Sequence, residues 1–152
     1  MIYWLIGQPG CGKTTLAKRL AEKLISIQRP TIHLDGDALR SIFAVPYNKE
    51  TLGKEWRIEQ TRILQRFVAY IADQGINVVV STVNPYKAVR EEFKKSRKDV
   101  REIHVWSEDL LTRKDKWVKD FEEPLAEAHI GIKTGGKFNE DHSFAVMWSL
   151  LN

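Results

Sequence analysis

Short apolar runs alternate along the chain with stretches whose apolar residues recur every three or four positions. Ile2 to Ile6 reads as a buried strand that stops at Gly7. Leu16, Ala17, Leu20, Ala21, Leu24 and Ile25 then fall at helical spacing, and Thr31 to Leu34 predicts a second strand. Between Glu55 and Asp73, the residues Ile63, Leu64, Phe67, Val68 and Ile71 mark one helical face, closed by Gly75. The valine-rich Asn77 to Thr82 predicts a central strand. Pro85 opens the next helix, through Phe93 and Lys94, with Asn84 at the capping position. Glu102 to Trp106 is a fourth strand, with Ser107 placed to cap the helix after it, and Ile130 to Thr134 is a fifth, at an edge. Asn139 to Leu151 reads as a closing helix with Phe144, Met147, Trp148 and Leu151 on one stripe.

Strands alternating with helices imply βαβ units and a mainly parallel sheet of about five strands, covered on both faces. The expected fold is therefore α/β in three layers, with ligands bound at the carboxyl ends of the strands. At 152 residues the chain is expected to form a single domain over 1–152. No apolar run approaches the ~20 residues of a membrane helix, and the start lacks the basic flank of a signal peptide. One cysteine excludes an internal disulfide framework. A cytoplasmic location is the expectation. The net charge of +4 permits contact with nucleic acid without favouring it. The basic run Lys94 to Lys98 reads as a solvated helix end, and Trp4, Trp106 and Trp148 as core.

Composition leaves the chemistry open; one motif narrows it. Gly7-Gln8-Pro9-Gly10-Cys11-Gly12-Lys13-Thr14 fits the P-loop pattern, between a strand and an amphipathic helix. Its glycines let backbone N–H groups turn toward phosphate oxygens, and the helix N-terminus adds partial positive charge. Lys13 is expected to reach the β- and γ-phosphates, and the Thr14 hydroxyl to ligate Mg²⁺. Cys11, near a helix N-terminus, sits where a thiol pKa can fall, although such loop positions also serve as spacers. The Asn-Lys-x-Asp signature of GTPases is absent, and the chain is short for a motor core. A kinase fits best.

Leu34-Asp35-Gly36-Asp37-Ala38-Leu39-Arg40 comes directly after the second strand, at the expected cleft. Two carboxylates one glycine apart can hold a hydrated Mg²⁺ and orient a substrate hydroxyl. Asp37 also has the placement of a helix N-cap, a role compatible with the first.

With these residues the chain resembles the adenylylsulfate kinases, which phosphorylate the 3′-hydroxyl of adenosine 5′-phosphosulfate (APS). The likeness rests on the P-loop, Leu34 to Arg40, the arginines Arg57 and Arg62, Ala72-Asp73-Gln74-Gly75, and Ser81 to Tyr86 with Arg90 beyond. It covers residues 2 to about 95. It implies a P-loop kinase fold with a small lid at about 112–124, ATP with Mg²⁺ as phosphoryl donor, and APS or a related nucleotide as acceptor. By the same resemblance, Lys13, Asp37 and Asp35 are catalytic, and Thr14 and Asp35 hold the metal. The nucleotide set is Gly7 to Thr15 (Gly7, Gln8, Pro9, Gly10, Cys11, Gly12, Lys13, Thr14, Thr15) with Arg113 of the lid. The acceptor set is Asp37, Arg40, Arg57, Arg62 and Tyr86, the last stacking on the adenine. Family members are often homodimers.

The departures fall around the acceptor. Gln60 and Asn84 replace the family's Asn and Ser, and Ala44 to Glu50 replaces a Leu-Gly-Phe-Ser run, leaving Phe43 or Tyr47 to pack on substrate. The segment Arg113 to Lys119 keeps the lid's opening charges and loses its glycine; a charged amphipathic helix is the other reading. Trp56 and Trp117 are expected near the cleft. Two alternatives therefore stand beside APS: a kinase acting on another nucleoside, nucleotide or polynucleotide end, and a non-enzymatic ATP-binding module.

Overall fold

A computed structural model describes residues 1–107, 117–126, 129–136 and 138–152. The elements run β1 (Ile2–Ile6), α1 (Lys13–Ser26), β2 (Thr31–Asp35), α2 (Gly36–Ile42), α3 (Lys54–Asp73), β3 (Asn77–Ser81), α4 (Lys87–Ser96), β4 (Val100–Ser107), β5 (Ile130–Thr134) and α5 (Glu140–Leu151). The five strands form one sheet in the order β2-β3-β1-β4-β5. Every pairing is parallel. The expected three-layer α/β architecture is the one found. No helix among the described residues is long and apolar enough to cross a membrane.

β1 is central, and its period of two divides the core. Tyr3 and Leu5 face α1 and α5, packing with Leu16, Leu20, Leu24 and Met147. Ile2, Trp4 and Ile6 face the other way, toward Val68 of α3 and Phe93 of α4. All five residues of β1 are buried, which is why it reads as a continuous apolar run rather than an alternating one. Each fully buried Leu or Ile here contributes on the order of 1.5–3 kcal/mol of apolar transfer.

Three local expectations change. Asn84 does not cap α4. It adopts a left-handed φ of 41°, and its carbonyl accepts a hydrogen bond from buried Arg90. The N-cap is Tyr86, without a side-chain bond. The Lys87 amide instead donates to the Glu122 carboxylate at 2.6 Å, so a distant residue does the capping. Trp106 is 43% exposed rather than core, and the Lys133 ammonium lies 5.1 Å from its ring. The basic run ending α4 is only partly solvated. Lys94 pairs with Glu91 and Glu102, and Arg97 with Asp73 and Asp99, while Lys95 and Lys98 are exposed. Arg90, almost fully buried, lies 3.2 Å from Glu102 on β4. The residues after Ser107, where a capped helix is expected, lie outside the described ones.

Candidate active site

The carboxyl ends of β1, β2 and β3 open on one cleft of about 650 Å³. The loop leaving β1 is pressed against β4. Gly7 has φ 143°, and a Cβ there would run into the Val105 carbonyl oxygen, so only glycine fits. Gly12, with φ 91°, starts α1 and turns the chain so that Lys13 opens the helix. Lys13 is 8% exposed, and its ammonium donates to the Gln8 carbonyl at 2.8 Å. Burial lowers its pKa, while Cys11, Asp37 and Asp35 act in the opposite direction. Cys11 lies behind the loop, 2% exposed. Burial raises its pKa and outweighs the nearby Lys13 charge, so a lowered thiol pKa is not what the fold produces.

The end of β2 carries the most connected carboxylate. Asp35 Oδ2 accepts from the Thr14 hydroxyl at 2.7 Å and from the Ser81 hydroxyl at 2.8 Å. Oδ1 accepts from the Asp37 and Ala38 amides at 3.1 Å each. Asp35 is thus the N-cap of α2, the place the sequence offered to Asp37. The Ser81 hydrogen is committed to Asp35, so His33 Nε2, 2.9 Å away, is the donor to Ser81. Burial raises the Asp35 pKa, but the hydrogen bonds from Thr14, Ser81 and Ala38, with the nearby His33, outweigh it, and the net shift is downward. The side chain is a carboxylate at neutral pH.

Asp37 stands in the first turn of α2 and accepts the Tyr47 hydroxyl. Arg40, one turn on, lies between two rings, 4.4 Å from Tyr47 and 4.9 Å from Trp56. It donates to the Thr51 carbonyl at 3.1 Å. Arg57 donates to the Leu52 carbonyl at 2.8 Å, and burial lowers its pKa. Neither arginine forms a salt bridge with a carboxylate among the described residues. Their positive charge stays available to an anion in the cleft.

The cleft wall brings together Pro9, Gly10, Gly12, Lys13, Thr14, Thr15, Asp35, Asp37, Arg40 and Arg57. Phe43, Tyr47, Trp56, Gln60 and Asn84 share it. Gly7, Gln8 and Cys11 stand outside that wall. Arg62 also stands outside it and pairs with Glu92 at 3.2 Å. Tyr86 is 4% exposed, hydrogen-bonded to Asp120, with the Lys54 ammonium 5.1 Å from its ring. Burial and the Asp120 carboxylate push its phenol up to about 12. Trp117 is half-buried and off the cleft wall. Arg113 and most of the expected lid lie outside the described residues.

Sequence reasoning missed the hydrogen bonds that fix Asp35. The register of β2 on β3 sets Asp35 beside Ser81, and aligning the two predicted strands by their ends exposes that pairing. Nothing in the sequence pattern signals that the Gln8 amide grips the Val118 backbone, 110 positions away.

The model of the adenylylsulphate kinase family matches residues 1–125. A probable adenylyl-sulfate kinase of Pyrococcus abyssi is 35% identical over 68% of this chain and 58% of its own length. A cytidine diphosphoramidate kinase of Campylobacter jejuni is 33% identical over 68% of this chain and 59% of its own. The matched segment thus spans under two thirds of these relatives. The Mycobacterium tuberculosis APS kinase CysC, solved in complex with AMPPNP and APS, superposes with a TM-score of 0.76 over 99% of this chain and 97% of that one; at 19% identity the likeness is one of fold.

Proposed function

The chain belongs to the adenylylsulphate kinase family, and from that premise we propose that it transfers the γ-phosphoryl group of ATP to a hydroxyl of a small anionic nucleotide, the 3′-hydroxyl of APS. The observation that carries this reading is one cleft holding a buried Lys13 and an ionised Asp35 together with Asp37, Arg40 and Arg57. Phosphoryl transfer needs positioning and charge neutralisation more than covalent chemistry.

Lys13 turns from the Gln8 carbonyl to the β- and γ-phosphate oxygens. The Thr14 oxygen, being the donor to Asp35, keeps both lone pairs, so it fits a cation without losing that hydrogen bond. Thr14, with Asp35 behind it, would hold Mg²⁺, which when bound neutralises charge on the phosphates. Asp37 exchanges the Tyr47 hydroxyl for the acceptor hydroxyl and takes its proton as oxygen attacks the γ-phosphorus and the bond to the β-phosphate oxygen breaks. Arg40 and Arg57 fork onto the anionic end of the acceptor, with Tyr47 and Trp56 already stacked on Arg40. Tyr86 supports the acceptor wall from behind through Asp120.

A second acceptor has a specific observation in its favour. The likeness to a cytidine diphosphoramidate kinase is as extensive as that to the adenylyl-sulfate kinase, and this chain's departures lie at the acceptor loop. The deciding experiment is ADP release from Mg²⁺·ATP with APS, cytidine diphosphoramidate, nucleosides, nucleotides and 5′-hydroxyl oligonucleotides in turn. Stimulation by APS alone establishes the first reading. Stimulation by the cytidine compound establishes the second. ATP binding with no stimulation by any acceptor overturns both and leaves an ATP-binding module.

A further inference from the structure

Residues 117–122 form a strap between the loop after β1 and the loop after β3. Near its start, both backbone polar groups of Val118 are taken by one side chain: Gln8 Nε2 donates to the Val118 carbonyl at 2.7 Å, and the Val118 amide donates to Gln8 Oε1 at 3.0 Å. At its other end, the Glu122 amide donates to the Pro85 carbonyl at 2.8 Å. Arg90 donates to the Glu122 carbonyl, the Glu122 carboxylate caps α4, and Asp120 accepts from Tyr86. The strap therefore joins the phosphate loop to the loop that walls the acceptor side.

Gln8 has a second bond that matters. Its own carbonyl is the partner of the Lys13 ammonium. Phosphates drawn to Lys13 remove that partner and immobilise the loop around Gln8, while its side chain keeps hold of Val118. We infer that Gln8 is a positioning residue that transmits nucleotide occupancy of the phosphate loop to the strap and, through Glu122 and Asp120, to Pro85 and Tyr86. The inference rests on the ATP-binding part of the proposed function and is independent of which acceptor is used.

The two amides that make these bonds report on them directly through hydrogen exchange. The test measures exchange across the full chain with and without Mg²⁺ and a non-hydrolysable ATP analogue. In the wild type, exchange is expected to slow at residues 7–14, and at the Val118 and Glu122 amides by about tenfold or more. In Gln8→Met, of similar size but unable to hold either Val118 group, residues 7–14 still respond and Val118 and Glu122 do not. An equal response of the strap in Gln8→Met, or a wild-type strap that ignores nucleotide while residues 7–14 respond, overturns the inference. Silence at residues 7–14 in the wild type overturns the ATP reading and this coupling with it. If Gln8→Met does not fold, Asp120→Asn serves instead. Val118 and Lys87, the latter held through Glu122, should then respond with Tyr86 uncoupled, and a wild-type response at the Tyr86 amide overturns the path through Asp120.

Discussion

Thr14 gives its hydroxyl hydrogen to Asp35 across 2.7 Å, joining the first turn of α1 to the end of β2. Asp35 also takes hydrogens from Ser81 and from two α2 amides, so all four of its contacts require an acceptor. Asp35→Asn puts an NH₂ group where one oxygen stood. The expected result is a fall in kcat/KM of about 10²-fold or more. Stability should fall by about 1–3 kcal/mol from the mismatched donors. Steady-state kinetics and urea unfolding check both, and a variant within threefold of wild type removes Asp35 from the machinery.

In the proposed reaction Asp37 acts on the acceptor, so its replacement should separate chemistry from nucleotide binding. Asp37→Asn is expected to lower kcat by about 10²–10⁴-fold, the range of general-base catalysis. Affinity for an ATP analogue should stay near wild type by titration calorimetry. Equal turnover by this variant would sink the assignment.

Arg40 and Arg57 are held by backbone carbonyls, with their charge left for a ligand. Lysine keeps the charge and loses the planar fork. Arg40→Lys and Arg57→Lys should each raise the acceptor KM by about tenfold, roughly 1.4 kcal/mol of binding, with the ATP KM little changed. A rise in the ATP KM instead would place these arginines on the donor side.

His104 gives a pH signature in stability. Burial, with smaller contributions from His129, Arg90 and Lys13, lowers its pKa from 6.5 to about 4. The Glu123 carboxylate 3.4 Å away is 74% exposed and does not offset this. Between those values the unfolded chain binds the proton and the folded one does not. The contribution is thus present above pH 6.5 and lost as pH falls toward 4, amounting to roughly 2–4 kcal/mol. His104→Gln should flatten the wild-type stability profile over that window in urea titrations. Parallel profiles would show that His104 carries none of the slope.

Met147 on α5 is fully buried against α1. Met147→Ala should cost about 2–5 kcal/mol in unfolding free energy. A loss under about 0.5 kcal/mol, the scale of surface substitutions, would mean that α5 is not part of this core.

The strand order is half legible in the sequence. Each strand's existence comes from its apolar run, because a parallel sheet covered on both faces buries nearly every residue of its inner strands. The placement of β1 at the centre does not, since apolar runs do not say which neighbour they pair with. In the site, the gathering of Lys13, Thr14 and Asp35 at one cleft is legible because they follow the carboxyl ends of predicted strands, where a parallel sheet opens. The N-cap falls to Asp35 rather than to Asp37, because both carboxylates satisfy the capping pattern and only the turn at Gly36 decides. Tyr86 and Arg62 are placed by resemblance alone. Their surroundings depend on Asp120 and Glu92, contacts that no local spacing encodes.

The central position of β1 also shapes how the chain is made. Ile2 pairs with Val78 on one side and with Val100 on the other. β1 leaves the ribosome well before β3 and β4 and therefore waits for its partners on the order of 5–20 s at about 5–20 residues per second. During that time five consecutive apolar side chains and two unpaired strand edges are open to other nascent chains. Folding should accordingly be slow for the chain's size and dependent on protection during synthesis.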